Sequence, residues 1–167
     1  VFPDTANIAA SVNFGFPWFT GTGTPPANEF DFFSTLLHEV AHGLGFLSNF
    51  SPSGASGLSA GLYTVWDSLL VNGAGQAIIT GGANPQFVGS MDDLVSNALF
   101  FNGAAAVAAF GSRPPVFAPN PYVDGSSIGH YDGPNIAQPI IMAASGGPGP
   151  EPRVFADFEL ATLQDIG

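Results

Sequence analysis

Three histidines are the whole imidazole complement of this 167-residue chain, and all three can be assigned to one metal site. His38 and His42 stand in His38-Glu39-Val40-Ala41-His42. Residues four apart on a helix project from the same face, so this pair can share one ion. Glu39 follows His38 directly, which sets its carboxylate beside the metal rather than on it. That is the arrangement of a zinc hydrolase, in which the Glu takes a proton from water at the metal. The competing reading is a helical face, buried or solvated, that carries two histidines for no chemical reason.

A catalytic zinc usually takes three protein ligands and leaves a fourth position open. One solution places a third His shortly after the helix, in His-Glu-x-x-His-x-x-Gly-x-x-His. Gly45 matches its glycine, but the ligand position holds Ser48, a poor zinc ligand. A second solution takes a Glu from a later helix, for which Glu159 is the candidate. The third is His130, in Gly125-Ser126-Ser127-Ile128-Gly129-His130-Tyr131, a loop able to bend under the metal. Neutral imidazole suits zinc and the chain has no other histidine to offer, so His130 is the expected ligand and Glu159 the alternative.

The segment Leu37-His38-Glu39-Val40-Ala41-His42-Gly43-Leu44-Gly45-Phe46 resembles the active-site helix of metzincin metallopeptidases, specifically the leishmanolysin-like group. In that group a long insertion separates the glycine after the helix from the third histidine. A methionine turn below the metal and a closing helix then follow. Here His130 precedes Pro139-Ile140-Ile141-Met142-Ala143, and Leu160 to Gly167 comes last, in the same order. The resemblance implies zinc held by His38, His42 and His130, Glu39 as general base, and Met142 as the turn methionine. It implies a zinc endopeptidase acting on proteins or peptides in an extracellular setting. It also implies an α+β, metzincin-like catalytic domain: a small upper lobe to about residue 45, an irregular lower lobe over 46–167, and a cleft between them. The group is rich in cysteine and has a long part before the helix; this chain has no cysteine, and His38 comes early.

Other residues invite chemical readings with plainer alternatives beside them. Tyr131 and Tyr122 could each donate a hydrogen bond to a developing oxyanion, although most tyrosines do not. Met142 could equally be an ordinary core methionine. Asp67, Asp124 and Asp132 could hold calcium, but their spacing matches no calcium loop, so solvated surface acids are the expectation. A binding or adhesion module keeping a structural zinc site is the reading from a different class. Glu39 separates the two, because a purely structural site needs no carboxylate beside the metal.

The elements that must position these residues can be sketched. Phe33, Leu36, Leu37, Val40, Ala41 and Leu44 form the apolar stripe of a helix over Phe30 to Phe46, with Asn28 as its cap. Gly43 and Gly45 end it. Asn7 to Gly15 alternates like a half-buried strand, and with Phe16 to Thr20 it offers an edge along which an extended peptide could pair. Either the upper sheet is minimal or an upstream segment supplies further strands. Leu62 to Leu70 and Gln76 to Thr80 read as strands joined through Asn72-Gly73-Ala74-Gly75. Ser51 to Gly61 reads as a flexible Ser/Gly segment. Ser90 with Asp93 could cap a short helix. Gly103 to Phe110 is helical, Pro114 to Pro121 is extended, and Phe155 to Ile166 is a helix with Asp157 at its cap.

Composition bounds the rest. The length fits a single domain over 1–167, able to bury roughly 70% of its unfolded surface. The absence of cysteine excludes disulfides and thiolate-bound metal. Two arginines against thirteen acids give a net charge of −11, which disfavours nucleic acid and anionic membranes as partners. No apolar run reaches the length of a membrane span. With 22 Gly and 15 Pro the chain is turn-rich, which suits a loop-heavy secreted enzyme better than a helical bundle.

Overall fold

The histidine-bearing helix, α1 (Phe32–Gly43), begins where Asp31 can cap it. The Asp31 carboxylate accepts from the backbone N–H of Phe33 at 3.1 Å and of Ser34 at 3.3 Å. Asn28, the cap expected from sequence, instead lies in the turn before it. Asp31 is available because Phe30 and Asp31 form a short strand that brings the chain in extended. In this computed structural model, which describes residues 8–58, 61–80 and 82–167, that strand is β2 (Phe30–Asp31), parallel to β1 (Trp18–Phe19). At its C-terminus the helix closes on Leu44, whose N–H reaches Val40 O at 3.0 Å, and Gly45 takes φ +104° to turn the chain away.

Only part of the expected apolar stripe meets the core. Ala41 is fully buried and Leu37 packs on the core beside it, whereas Phe33, Leu36 and Leu44 are exposed. The face carrying His38, Glu39 and His42 borders a cleft.

The segment expected as a strand over Asn7 to Gly15 is not one. Asn7 lies outside the described residues, and residues 8–15 are irregular and mostly exposed. A turn at Asn13, whose side chain accepts from Gly15 N–H, ends any extended run, and no neighbouring strand pairs with it. Among the described residues the upper sheet is therefore just β1 and β2, extended by a bridge from Phe30 to Pro148.

The lower part is built on α2 (Val65–Ser68), β3 (Leu70–Asn72), β4 (Ile79–Thr80), β5 (Gln86–Phe87), β6 (Leu99–Phe101), α3 (Ala104–Phe110), β7 (Pro115–Val116) and α4 (Asp157–Ile166). The expected strand over Leu62 to Leu70 is replaced by α2 at its centre, and only Leu70 is strand. Thr64 and Asp67 form a reciprocal capping box that outcompetes extended structure there. The Asn72 turn forms as expected and closes a hairpin, with Gly75 N–H on Asn72 O at 2.8 Å, Asn72 N–H on Gln76 O at 2.9 Å and a bridge from Val71 to Ala77, while β4 beyond it pairs with β5. The strand β3 joins an antiparallel sheet in the order β3-β6-β7.

The Ser90–Asp93 cap forms on a short 3-10 turn over Asp92–Val95, and α3 ends on Gly111 in the left-handed region as expected. The helix α4 is capped from Ala156, one residue before the expected Asp157. Glycine at 103 lets Asp165 of α4 reach across to the backbone N–H groups of Ala105 at 3.0 Å and Ala106 at 2.9 Å. A Cβ on Gly103 would stand 2.2 Å from that carboxylate. One continuous apolar core runs from Ala41 and Phe46 through Trp66, Phe101 and Tyr131 to Phe158 and Ile166. The observed class is mixed α plus β, and no described helix is long and apolar enough to cross a membrane.

Candidate metal centre

Three imidazole nitrogens from two distant parts of the chain converge on one point. His38 Nε2 lies 3.0 Å from His42 Nε2 and 3.1 Å from His130 Nε2, and His42 Nε2 lies 3.1 Å from His130 Nε2. Each ring is held from behind by a backbone carbonyl. His38 Nδ1 is 2.8 Å from Ile141 O, His42 Nδ1 is 2.6 Å from Phe46 O, and His130 Nδ1 is 2.7 Å from Ser126 O. A carbonyl can only accept, so each Nδ1 carries the ring hydrogen and each neutral ring presents Nε2 as a lone pair.

Three lone pairs about 3 Å apart cannot satisfy one another, and a shared cation resolves the repulsion. Nitrogens bound at about 2.0–2.1 Å to one tetrahedral zinc stand roughly 3.3–3.4 Å apart, within a few tenths of an ångström of the observed spacing. The donor set fits zinc chemistry. Among the described residues no other group of three His, Cys, Asp or Glu side chains brings its ligand atoms together.

Burial favours the neutral ring at His38 and His130. His130 is 5% exposed, and its loss of solvent pushes the ring pKa down to about 4, against a raising contribution from the Ser126 carbonyl. Desolvation likewise lowers His38, again opposed by its carbonyl partner, Ile141. Both are thus ready as ligands near neutral pH, with no proton to displace.

The His130 loop is held on several sides. Phe117 N–H donates to His130 O at 2.9 Å and Ile128 N–H donates to Phe117 O at 2.7 Å. Trp66 Nε1 donates to Ile128 O at 2.9 Å. Ile128 is buried at φ +71°, a left-handed conformation that costs a β-branched residue strain. Strain beside a site persists only when the surroundings over-determine it, and here two backbone bonds and a buried indole do so. Gly129 faces Ser48, whose N would stand 3.4 Å from an added Cβ. The distant loop therefore returns beside Ser48, the position from which a local third ligand would have come.

The other sequence candidates are placed as follows. Glu159 is fully buried and accepts from Met142 N–H at 2.7 Å, Ala156 N–H at 2.8 Å and Ile141 N–H at 3.3 Å. Those bonds occupy the carboxylate, and it is not among the converging ligand atoms. Burial pushes its carboxyl up from the ordinary range, against the pull of the three N–H donors. Met142 is fully buried, one residue after the carbonyl that holds His38.

Tyr131 cannot reach a substrate. Its ring is enclosed by Phe46, Trp66 and Phe158, and its hydroxyl meets Thr162 Oγ1 at 2.5 Å. Burial drives its pKa far up. What Tyr131 does instead is structural: its N–H donates to Met142 O at 2.9 Å, tying the His130 loop to the segment around Met142. Tyr122 donates its hydroxyl to Phe50 O at 2.7 Å and does not border the cleft. Of the acids weighed for calcium, Asp124 is exposed, but Asp67 and Asp132 are buried, contrary to expectation. The Asp67 carboxylate accepts from Thr64 N–H at 3.1 Å in the capping box of α2, and Asp132 Oδ2 accepts from Asn135 at 2.7 Å.

The histidine cluster borders a cleft of about 860 Å³ that runs along α1. His38, Glu39 and His42 border it, with Ile140, Ile141 and residues 143–147 opposite and residues 8–13 at one rim. Glu39 is exposed to this space. Comparisons with protein-family models, curated proteins and solved structures returned no match.

Proposed function

We propose that this chain is a zinc-dependent endopeptidase of metzincin type, with zinc held by His38, His42 and His130 and Glu39 as the general base. The observation that carries this reading is the convergence of three Nε2 lone pairs, each fixed by a carbonyl behind its ring, at the edge of an open cleft bordered by a carboxylate. Zinc, when bound, would supply Lewis acidity towards a carbonyl oxygen and lower the pKa of water towards about 7. The chain's own residues do the rest. Glu39 takes the proton of the attacking water on its carboxylate and returns it to the leaving amine nitrogen. The cleft holds an extended peptide along α1.

The second reading, a binding module with a structural zinc, is disfavoured by two features of the same site. A structural zinc is enclosed by four protein ligands, whereas here three converge and the neighbouring carboxylate faces open space. The experiment is a zinc determination on the purified chain, coupled to digestion of casein and a mixed peptide library. The endopeptidase reading expects about one zinc per chain and internal cleavage that a chelator abolishes. Stoichiometric zinc with no cleavage of any substrate supports the binding module instead.

A further inference from the structure

The cleft is not uniformly lined. Near the N-terminus of α1 its wall is aromatic: Phe16, Trp18, Phe30 and Phe32 all border it. Their rings pack together, with centroids 5.7 Å apart for Phe16–Phe30 and Trp18–Phe32 and 6.0 Å for Phe16–Trp18 and Trp18–Phe30. The contacts are edge-on or tilted, and all four residues remain partly open where they line the cleft. Unlike the core rings of Phe46, Trp66 and Phe101, these are not closed over, and Phe16 is 50% exposed. They share one continuous cavity with His38, Glu39 and His42.

Position along the helix sets the reach. From Phe32 to His38 is six residues, about 9 Å at the helical rise of about 1.5 Å per residue. An extended peptide advances about 3.3 Å per residue. A side chain seated on the aromatic wall therefore belongs to a residue two or three positions from the bond at the metal centre.

The geometry points to Phe16, Trp18, Phe30 and Phe32 as a recognition subsite for an aromatic or large aliphatic side chain, two to three residues from the cleaved bond of a peptide substrate. This inference rests on the endopeptidase reading. Apolar area removed from water supplies the affinity and edge-to-face ring contacts supply the preference for an aromatic ring. The subsite explains why rings that would otherwise be surface liabilities are gathered where the cleft begins.

The test is a randomised peptide library, read by mass spectrometry, on the zinc-loaded wild-type chain and the variants Phe16→Ala, Trp18→Ala and Trp18→Phe. Phe33→Ala serves as control, because Phe33 is exposed but lies outside the cleft. Zinc content and far-UV circular dichroism equal to wild type establish that each variant folds. The wild type should enrich aromatic and large aliphatic residues two or three positions from the cleaved bond. The Phe-over-Ala ratio of kcat/KM at that position should fall at least tenfold in Phe16→Ala and Trp18→Ala, a typical scale for losing an apolar pocket contact. Trp18→Phe should keep most of the preference and Phe33→Ala all of it. Cleavage without preference at that position, or a preference that survives both alanine variants, overturns the subsite and leaves the endopeptidase reading intact. No cleavage of any peptide overturns that reading and the subsite with it.

Discussion

Met142 N–H donates to Glu159 Oε1 at 2.7 Å, so the buried carboxylate that sequence offers as an alternative metal ligand instead holds the turn next to the carbonyl that orients His38. Two further N–H groups, from Ile141 and Ala156, point at the same carboxylate. Glu159 thus braces the turn behind the three histidines and is not among their converging nitrogens.

A clear outcome follows for Glu159→Gln. The amide keeps one acceptor oxygen but turns an NH₂ towards backbone donors, leaving at least one buried N–H unpaired at about 1–3 kcal/mol. With roughly 2–4 °C per kcal/mol for a domain of this size, thermal unfolding should drop by several degrees. Zinc content should remain near one per chain. A variant that is as stable as wild type but metal-free would show that Glu159 is a ligand.

Trp66 should matter to metal binding although it never approaches the metal. Its indole N–H is the bond that holds Ile128 O in a strained loop two residues before His130. Trp66→Phe keeps much of the ring contact with Phe46 and Phe101 but removes that bond. Zinc affinity, measured by competition with a chromophoric chelator, is expected to weaken by roughly tenfold, the lower range for losing a group that orients a ligand. Unchanged affinity would mean that the loop keeps its shape without the indole.

The metal-free protein should be acid-sensitive in a defined window. The unfolded His130 titrates near 6.5, whereas burial holds the folded ring near 4. Between those values the unfolded chain binds a proton that the folded chain does not, so stability is full above about pH 6.5 and is lost as pH falls towards about 4. His38, also lowered, adds in the same direction. The scale for His130 is on the order of 3 kcal/mol. Urea midpoints of the chelated chain at about pH 7.5 and pH 4.5 measure the loss, which should be clearly smaller in His130→Gln. Equal losses in the two proteins would rule out His130 as the source.

How much of this was legible in the sequence depends on whether the signal is local. The helix around His38 and His42 could be read from spacing and glycines alone, and the caps at Ser90–Asp93 and Gly111 from residue type. The choice of His130 followed from the shortage of histidines, and the structure brings it to the same point. The cap falls on Asp31 and not on Asn28 because β2 brings the chain in extended through Asp31, a pairing with β1 that local residue types do not reveal. Arg153 Nε also lies 2.6 Å from the Asp31 carboxylate. The strand expected over Asn7 to Gly15 failed because alternation needs a partner strand, and among the described residues none pairs there. Val65–Ser68 carries a Thr64–Asp67 capping box, a local signal that outweighs the apolar content favouring a strand. The aromatic rings of Phe16, Trp18, Phe30 and Phe32 stood in the sequence without periodicity, and only the fold shows that they meet.

The central claim is that Glu39 moves a proton beside a metal it does not bind, and one paired measurement tests it most directly. Zinc stoichiometry and peptide hydrolysis are determined on the same preparation of Glu39→Gln. The account predicts about one zinc per chain, as in wild type, with hydrolysis reduced at least 10²-fold, a typical floor for losing a general base. Near-native hydrolysis by zinc-loaded Glu39→Gln would contradict it.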